Sequence, residues 1–168
     1  RRRRPDARLT LFQREKQVFP LFFANFGSMK ETDVPHYIYE LTMDVRDYEV
    51  DYEGIVNNSV YLNYMEHTRH EFCRRAGLTF EAMHLSGIDP VVRRAEIDYL
   101  TPLRSGESFV SKLALERRGP KFIFRQDLYR LPSGELAVSG RITIVSIVNG
   151  RVSRGDELGA AFAKELER

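Results

Sequence analysis

Asp47-Tyr48-Glu49-Val50-Asp51-Tyr52-Glu53-Gly54-Ile55-Val56-Asn57-Asn58 is the stretch where the hydrophobic period of the chain changes. Before it, Tyr37, Tyr39, Leu41, Met43 and Val45 alternate with polar residues such as Glu40, Thr42, Asp44 and Arg46. That period of two belongs to a half-buried strand. After it, Tyr61, Tyr64, Met65, Phe72 and Ala76 recur at helical spacing, with Thr68 on the same face. Asn58 or Ser59 offers an N-cap oxygen, Arg74 and Arg75 suit the negative helix end, and Gly77 suits the position beyond it. The pattern predicts a helix over 59–76, entered from the loop 51–58.

Beyond the helix the chain returns to strands. Residues 90–100 place Val91, Ala95, Ile97 and Tyr99 on one face, and 108–116 place Phe109, Leu113 and Leu115 together. Residues 121–131 align Phe122, Phe124 and Leu128, and 136–148 align Val138, Ile142, Ile144 and Val148. Pro102, Ser105-Gly106, Gly119-Pro120, Pro132-Ser133-Gly134 and Asn149-Gly150 are the turns between them. A short amphipathic helix is expected over 156–166. The predicted order is strand, long helix, four meandering strands and a terminal helix. One helix between the first strand and the rest has to lie across a curved antiparallel sheet, an α+β architecture. Order alone is shared with other α+β layouts.

The 168 residues suit one domain, and 42% apolar residues with 11 Phe and 8 Tyr argue for a globular core. Twenty-six basic against 24 acidic residues leave a net charge of +2, too little for a nucleic-acid binder. One cysteine, Cys73, excludes an intrachain disulfide framework and reads as a small packing residue within the helix. Residues 1–36 are expected to form a leader outside the domain proper, which would span 37–168. The opening of that leader is rich in Arg and Phe and poor in acids, as in a transit-peptide remnant or a disordered leader, although it lacks the usual serine richness.

Chemistry concentrates in the loop. Asp47, Glu49, Asp51 and Glu53 directly precede a helix N-terminus, where unpaired backbone N–H groups and the positive dipole end can hold an oxyanion. A carboxylate beside that point can attack a carbonyl or deprotonate water. From composition alone, a solvated acidic strand end whose carboxylates cap turns is the simpler reading.

Resemblance changes the balance. Asp51-Tyr52-Glu53-Gly54-Ile55-Val56, followed by Tyr61-Leu62-Asn63-Tyr64 and Arg69-His70-Glu71-Phe72, resembles the signature of 4-hydroxybenzoyl-CoA-thioesterase-like hotdog proteins. Tyr99-Leu100-Thr101-Pro102-Leu103-Arg104-Ser105-Gly106 resembles that family's second stretch, at a strand end. The fuller run from Val45 to Asn58 is similar to plant plastid acyl-ACP thioesterases related to methylketone synthase. The resemblance implies a hotdog fold, a homodimer or homotetramer with the acyl site between subunits, and residence in the plastid stroma. It implies hydrolysis of fatty acyl or 3-oxoacyl thioesters, with acyl carrier protein as the partner that presents the substrate. Asp51 falls on the catalytic carboxylate and the backbone N–H of Asn58 on the oxyanion donor, with Gly54, Ile55, Val56 and Tyr61 lining the substrate. Many bacterial relatives carry Tyr or His where this chain has Asn57 and Asn58, so only the backbone role transfers. No cofactor or metal is implied. An acyl-CoA thioesterase and a non-catalytic acyl-binding hotdog protein are the alternatives.

Other clusters are weaker. Glu66, His67, His70 and Glu71 share a helix with ligand-like spacing but have no further Cys or His to complete a site. No Gly-x-Ser-x-Gly elbow occurs, and no His lies in the Gly-containing motif that a hotdog dehydratase needs. Arg93, Arg94, Arg104, Arg117, Arg118 and Lys121 are candidates for contact with an acidic carrier or phosphates, with Arg93, Arg94, Arg117 and Arg118 the nearest by sequence. Glu49 is expected to matter less than Asp51.

Overall fold

The computed structural model describes residues 35–167, so the expected leader lies outside them apart from Pro35 and His36. The chain runs through β1 (Tyr39–Asp44), a 3₁₀ turn (Asp47–Glu49), α1 (Asn58–Arg75) and α2 (Phe80–Leu85). It continues with β2 (Ile88–Tyr99), β3 (Ser108–Arg118), β4 (Lys121–Arg130), β5 (Leu136–Val148), β6 (Arg151–Val152), α3 (Asp156–Ala161) and α4 (Ala163–Leu166). All strand pairs are antiparallel, in the order β1-β3-β4-β5-β2, with β6 on the end of β5. Among the described residues, the 12-residue β2 and the short β1 are therefore the sheet edges.

α1 buries Tyr61, Tyr64, Met65, Thr68, Arg69, Phe72 and Cys73, the face expected from the spacing plus Arg69 and Cys73. Opposite it, β3 to β5 supply Phe109, Leu113, Phe122, Phe124, Leu128, Val138 and Ile142, all nearly or wholly buried. Glycine at position 140 leaves room for the Met65 side chain: a Cβ there would lie 2.5 Å from Met65 Cε, so any larger residue would require the end of Met65 to shift. Phe72 is the aromatic hub, with ring centroids 6.0 Å from Tyr39 of β1, 6.3 Å from Phe124 of β4 and 5.8 Å from Phe162 between α3 and α4.

Polar bonds fix how the helix sits. Thr68 Oγ1 lies 2.9 Å from Ser111 Oγ, Arg69 Nη1 donates to Gln126 Oε1 at 2.8 Å, and Gln126 Nε2 donates to the Met65 carbonyl at 2.9 Å. Sliding or rotating α1 would leave these buried groups unpaired, which costs more than apolar repacking would. Cys73 is 1% exposed, and burial pushes its thiol up to about 11, as suits a packing residue.

Several local expectations change. The N-cap is Asn57, one residue before the predicted candidates, because its Oδ1 accepts from the backbone N–H of Ser59 at 3.0 Å. On β2 it is Val92, opposite Ile144, that shares a face with Ala95, opposite Ile142. Val91 turns to the other face because the register shifts between Val92 and Arg94, the extra residue of a bulge. α2 was not signalled, and the terminal helix breaks at Phe162. The remaining architecture is the hotdog arrangement, a curved antiparallel sheet around one long helix.

Candidate active site

The acidic stretch forms a loop with a closed neck. Val50 bridges Val56, and two further bonds flank the bridge. The Asp51 N–H donates to the Ile55 carbonyl at 2.9 Å, and the Asn57 N–H donates to the Glu49 carbonyl at 3.0 Å. Inside the neck, the Gly54 N–H returns to the Asp51 carbonyl at 3.0 Å, and Gly54 takes φ +73°, a conformation that L side chains rarely adopt. The Glu53 N–H donates to Asp51 Oδ1 at 2.9 Å, which orients the carboxylate, while its second oxygen has no partner among the described residues.

The other wall of the neck runs straight into α1. Asn57 is the cap, Ser59 donates to it, and the Val60 N–H returns to the Asn57 carbonyl at 2.9 Å. Among the described residues nothing accepts the Asn58 N–H. A free N–H at the first position of an 18-residue helix adds the positive dipole end to an unused donor. The Val50–Val56 bridge therefore holds the Asp51 carboxylate and the Asn58 amide on opposite strands of one neck.

A second loop buttresses this arrangement. The Val56 N–H donates to the Leu103 carbonyl at 2.8 Å, and the Leu103 N–H donates to Tyr61 Oη at 3.0 Å. Arg130 clamps the same segment through the Pro102 carbonyl, Glu107 at 3.2 Å and Glu135 at 2.6 Å. Tyr99 Oη donates to the Asn58 carbonyl at 3.0 Å, tying the end of β2 to the first turn of α1.

The predicted site residues divide accordingly. Asp51, Gly54 and Ile55 lie on the loop and Asn58 at the helix entry beyond the bridge, each at least partly exposed. Val56 and Tyr61 are each 3% exposed and hold the scaffold from within the core. Arg93 and Arg94 are exposed but lie within β2, roughly 15–20 Å along the strand from Tyr99. Arg117 and Arg118 sit at the far end of β3, roughly 30 Å from its Ser108 end, where they are paired with Asp156 and Glu116. On the outer side of α1, His67 pairs with Glu71 at 3.8 Å and His70 with Glu66 at 3.9 Å.

Sequence reasoning missed the importance of Glu49. Instead of a solvated loop carboxylate, it is 8% exposed and accepts from Tyr64 Oη at 2.6 Å, the Arg46 N–H at 2.7 Å and Arg46 Nη1 at 3.0 Å. Burial pushes its carboxyl pKa up, but the bonds from Tyr64 and Arg46 outweigh that and hold it below its ordinary value of 4.5. Only the Arg46-x-x-Glu49 spacing was visible beforehand, and the partner on α1 lies 15 residues away.

Fold and loop together define the hotdog class with an acidic loop entering its central helix. The chain belongs to the Thioesterase-like superfamily, whose family pattern matches residues 45–166. It is 37% identical over 121 residues to the Arabidopsis thaliana protein named acyl-acyl carrier protein thioesterase ATL3, chloroplastic. That match covers 71% of this chain and 62% of the relative. Its counterpart ATL2, from the same plant, is 37% identical over 112 residues, covering 66% of this chain and 60% of the relative. The chain thus spans about three fifths of the length of these relatives. The solved 1,4-dihydroxy-2-naphthoyl-CoA thioesterase from Synechocystis superposes with a TM-score of 0.70 at 14% identity. It covers 76% of this chain and 94% of its own, which shows a shared fold.

Proposed function

We propose that this protein hydrolyses fatty acyl thioesters carried on acyl carrier protein, in the plastid stroma, releasing a free or 3-oxo fatty acid. One observation carries the chemistry: a carboxylate and a helix-entry N–H, oriented and with bonding capacity unspent among the described residues, flank the same closed neck. In the reaction an oxygen adds to the thioester carbonyl, the carbonyl oxygen becomes negative, and the C–S bond then breaks to release the thiol. The Asn58 N–H stabilises the negative oxygen. Asp51 either takes the proton of the attacking water or attacks first, expelling the thiol and forming a mixed anhydride that water then cleaves to the fatty acid and the free carboxylate. The carrier and compartment are supported by the names of the two 37% identical relatives.

Release assays with matched acyl-ACP and acyl-CoA panels test the substrate. Faster turnover of the CoA series would move the reading to an acyl-CoA thioesterase, and no release from either would leave an acyl-binding protein.

Arg93 and Arg94 are the proposed contacts to the carrier. Arg94 pairs with Glu96 at 2.9 Å, whereas Arg93 has no ion-pair partner among the described residues. Reversing both to Glu is expected to raise KM for acyl-ACP and to leave a short acyl-N-acetylcysteamine thioester unaffected. The effect should fade with added salt, since exposed charges are screened within ~8 Å at physiological ionic strength. Equal losses on both substrates would remove these arginines from the carrier surface.

The proposed assembly is a dimer joined along β2. This long edge strand, unpaired on its outer side among the described residues, exposes the apolar Val91 (39%), Val92 (54%) and Tyr99 (41%) among charged neighbours such as Arg94 and Glu96, an edge that a monomer would ordinarily protect. Sedimentation should show at least a dimer, and Val92→Lys should shift it toward monomer. A fully active monomer would exclude the arrangement.

A further inference from the structure

We infer that Glu49 is a positioning residue of the acyl site, holding the Asp51 loop and the first turn of α1 in one fixed relation. The inference rests on the proposed roles of Asp51 and Asn58. Glu49 grips both walls of the neck, with two different groups. Its carbonyl takes the Asn57 N–H at 3.0 Å, the residue directly before the oxyanion donor. Its carboxylate takes Tyr64 Oη at 2.6 Å, from the second turn of α1. Tyr64 cannot drift, because it is 3% exposed with its ring centroid 4.7 Å from that of Phe109 and 6.1 Å from that of Tyr61. Arg46 completes the clamp from the loop side with its backbone N–H at 2.7 Å and its guanidinium at 3.0 Å.

A buried carboxylate is a costly way to end a 3₁₀ turn, and an apolar residue could fill the same space. What the carboxylate adds is direction, since three donors from two elements converge on its two oxygens and leave it one position. Asp51 lies two residues downstream on the same backbone. A rotation of Glu49 would therefore move the Asp51 side of the neck and, through the Asn57 bond, the Asn58 side as well. Displacements of about 1 Å at reacting groups can cost on the order of 10²-fold in rate, so a clamp of this kind would appear in turnover before it appeared in binding.

The test uses the full chain with a medium-chain acyl-N-acetylcysteamine thioester, which removes any dependence on the carrier. Glu49→Gln offers a single acceptor oxygen to three donors and is expected to lower kcat roughly 10–100-fold, with KM changed less than about threefold. Tyr64→Phe, which keeps the ring and the Arg46 grip, is expected to lower kcat about tenfold. The double variant should be no worse than Glu49→Gln alone, because both act through one bond. Thr68→Val serves as the comparison: it breaks the buried Thr68–Ser111 bond of the same helix and should lower Tm with kcat unchanged. If Glu49→Gln and Tyr64→Phe lower Tm but keep kcat within about twofold, or if their losses multiply as for independent sites, the positioning role is overturned. Asp51→Asn separates the two levels of inference. Should it be inactive while Glu49→Gln is unimpaired, only the clamp fails; should Asp51→Asn be fully active, the reading of the site fails.

Discussion

Asp51→Asn is expected to lower kcat by on the order of 10²-fold or more while leaving the fold and assembly unchanged. Asn is nearly the size of Asp and retains an oxygen that can accept from the Glu53 N–H, the bond that orients the native carboxylate at 2.9 Å. The neck is closed by backbone groups of Val50, Asp51, Ile55 and Val56, which the substitution does not touch. What disappears is the negative oxygen that can take a proton or attack a carbonyl. The measurement is steady-state release of free fatty acid, with circular dichroism and sedimentation run alongside. Near-native turnover in the folded variant would end the catalytic role of Asp51. A single turnover of the unmodified protein in ¹⁸O-labelled water then separates the two chemistries. A nucleophilic Asp51 whose mixed anhydride is opened by water at the Asp51 carbonyl gives an unlabelled first product and carries the label in its own side chain, a pattern that a general base does not produce. A general base puts the label directly into the fatty acid. Glu49→Gln, which the sequence suggested as a mild comparison, is unsuitable for that purpose because Glu49 is buried and bonded to α1.

The second large effect concerns stability. Phe72→Ala should destabilise the fold by about 3–5 kcal/mol, because it empties a site where β1, β4 and the C-terminal helices all meet α1. Phe72 is 2% exposed, and its ring lies within 23° of parallel to Phe162, so neighbouring aromatic rings cannot collapse into the space without losing their own contacts. A fall in Tm of roughly 10 °C or more follows for a domain of this size. Phe72→Leu refills most of the volume and should recover most of the loss. Thermal or urea unfolding checks both, and a Tm within about 3 °C of the unmodified protein for Phe72→Ala would show that the hub can repack.

How much of this was legible beforehand depended on the range over which each signal acts. The strand before the loop, the helix after it and the four later strands were readable because burial repeats with a local period of two or 3.6 residues. The bulge at Arg93 was not readable, since an extra residue in one strand is defined only against its partner, here Ile144 and Thr143 of β5. α2 was missed because six residues are too few to establish a helical period, and its cap, Thr79 accepting from the Ala82 N–H at 3.1 Å, is an ordinary local pair.

The same division runs through the site. Asp51, Gly54 and the helix entry could be picked out along the chain, because a carboxylate, a turn glycine and a helix start lie within eight residues of one another. Their resemblance to known thioesterase motifs pointed to Asp51 and the Asn58 amide before any coordinates. Folding decided which carboxylate is free and which is spent. Among the described residues Asp51 keeps an unpartnered oxygen, whereas Glu49, two residues earlier, is sealed against Tyr64 and Arg46. It also separated Ile55, which is half-buried in the loop, from Val56 and Tyr61, which are committed to the core. Composition sees four equivalent acids in one loop. Only the packing of a helix against a sheet, which brings residue 64 to residue 49 and residue 103 to residue 56, makes them different.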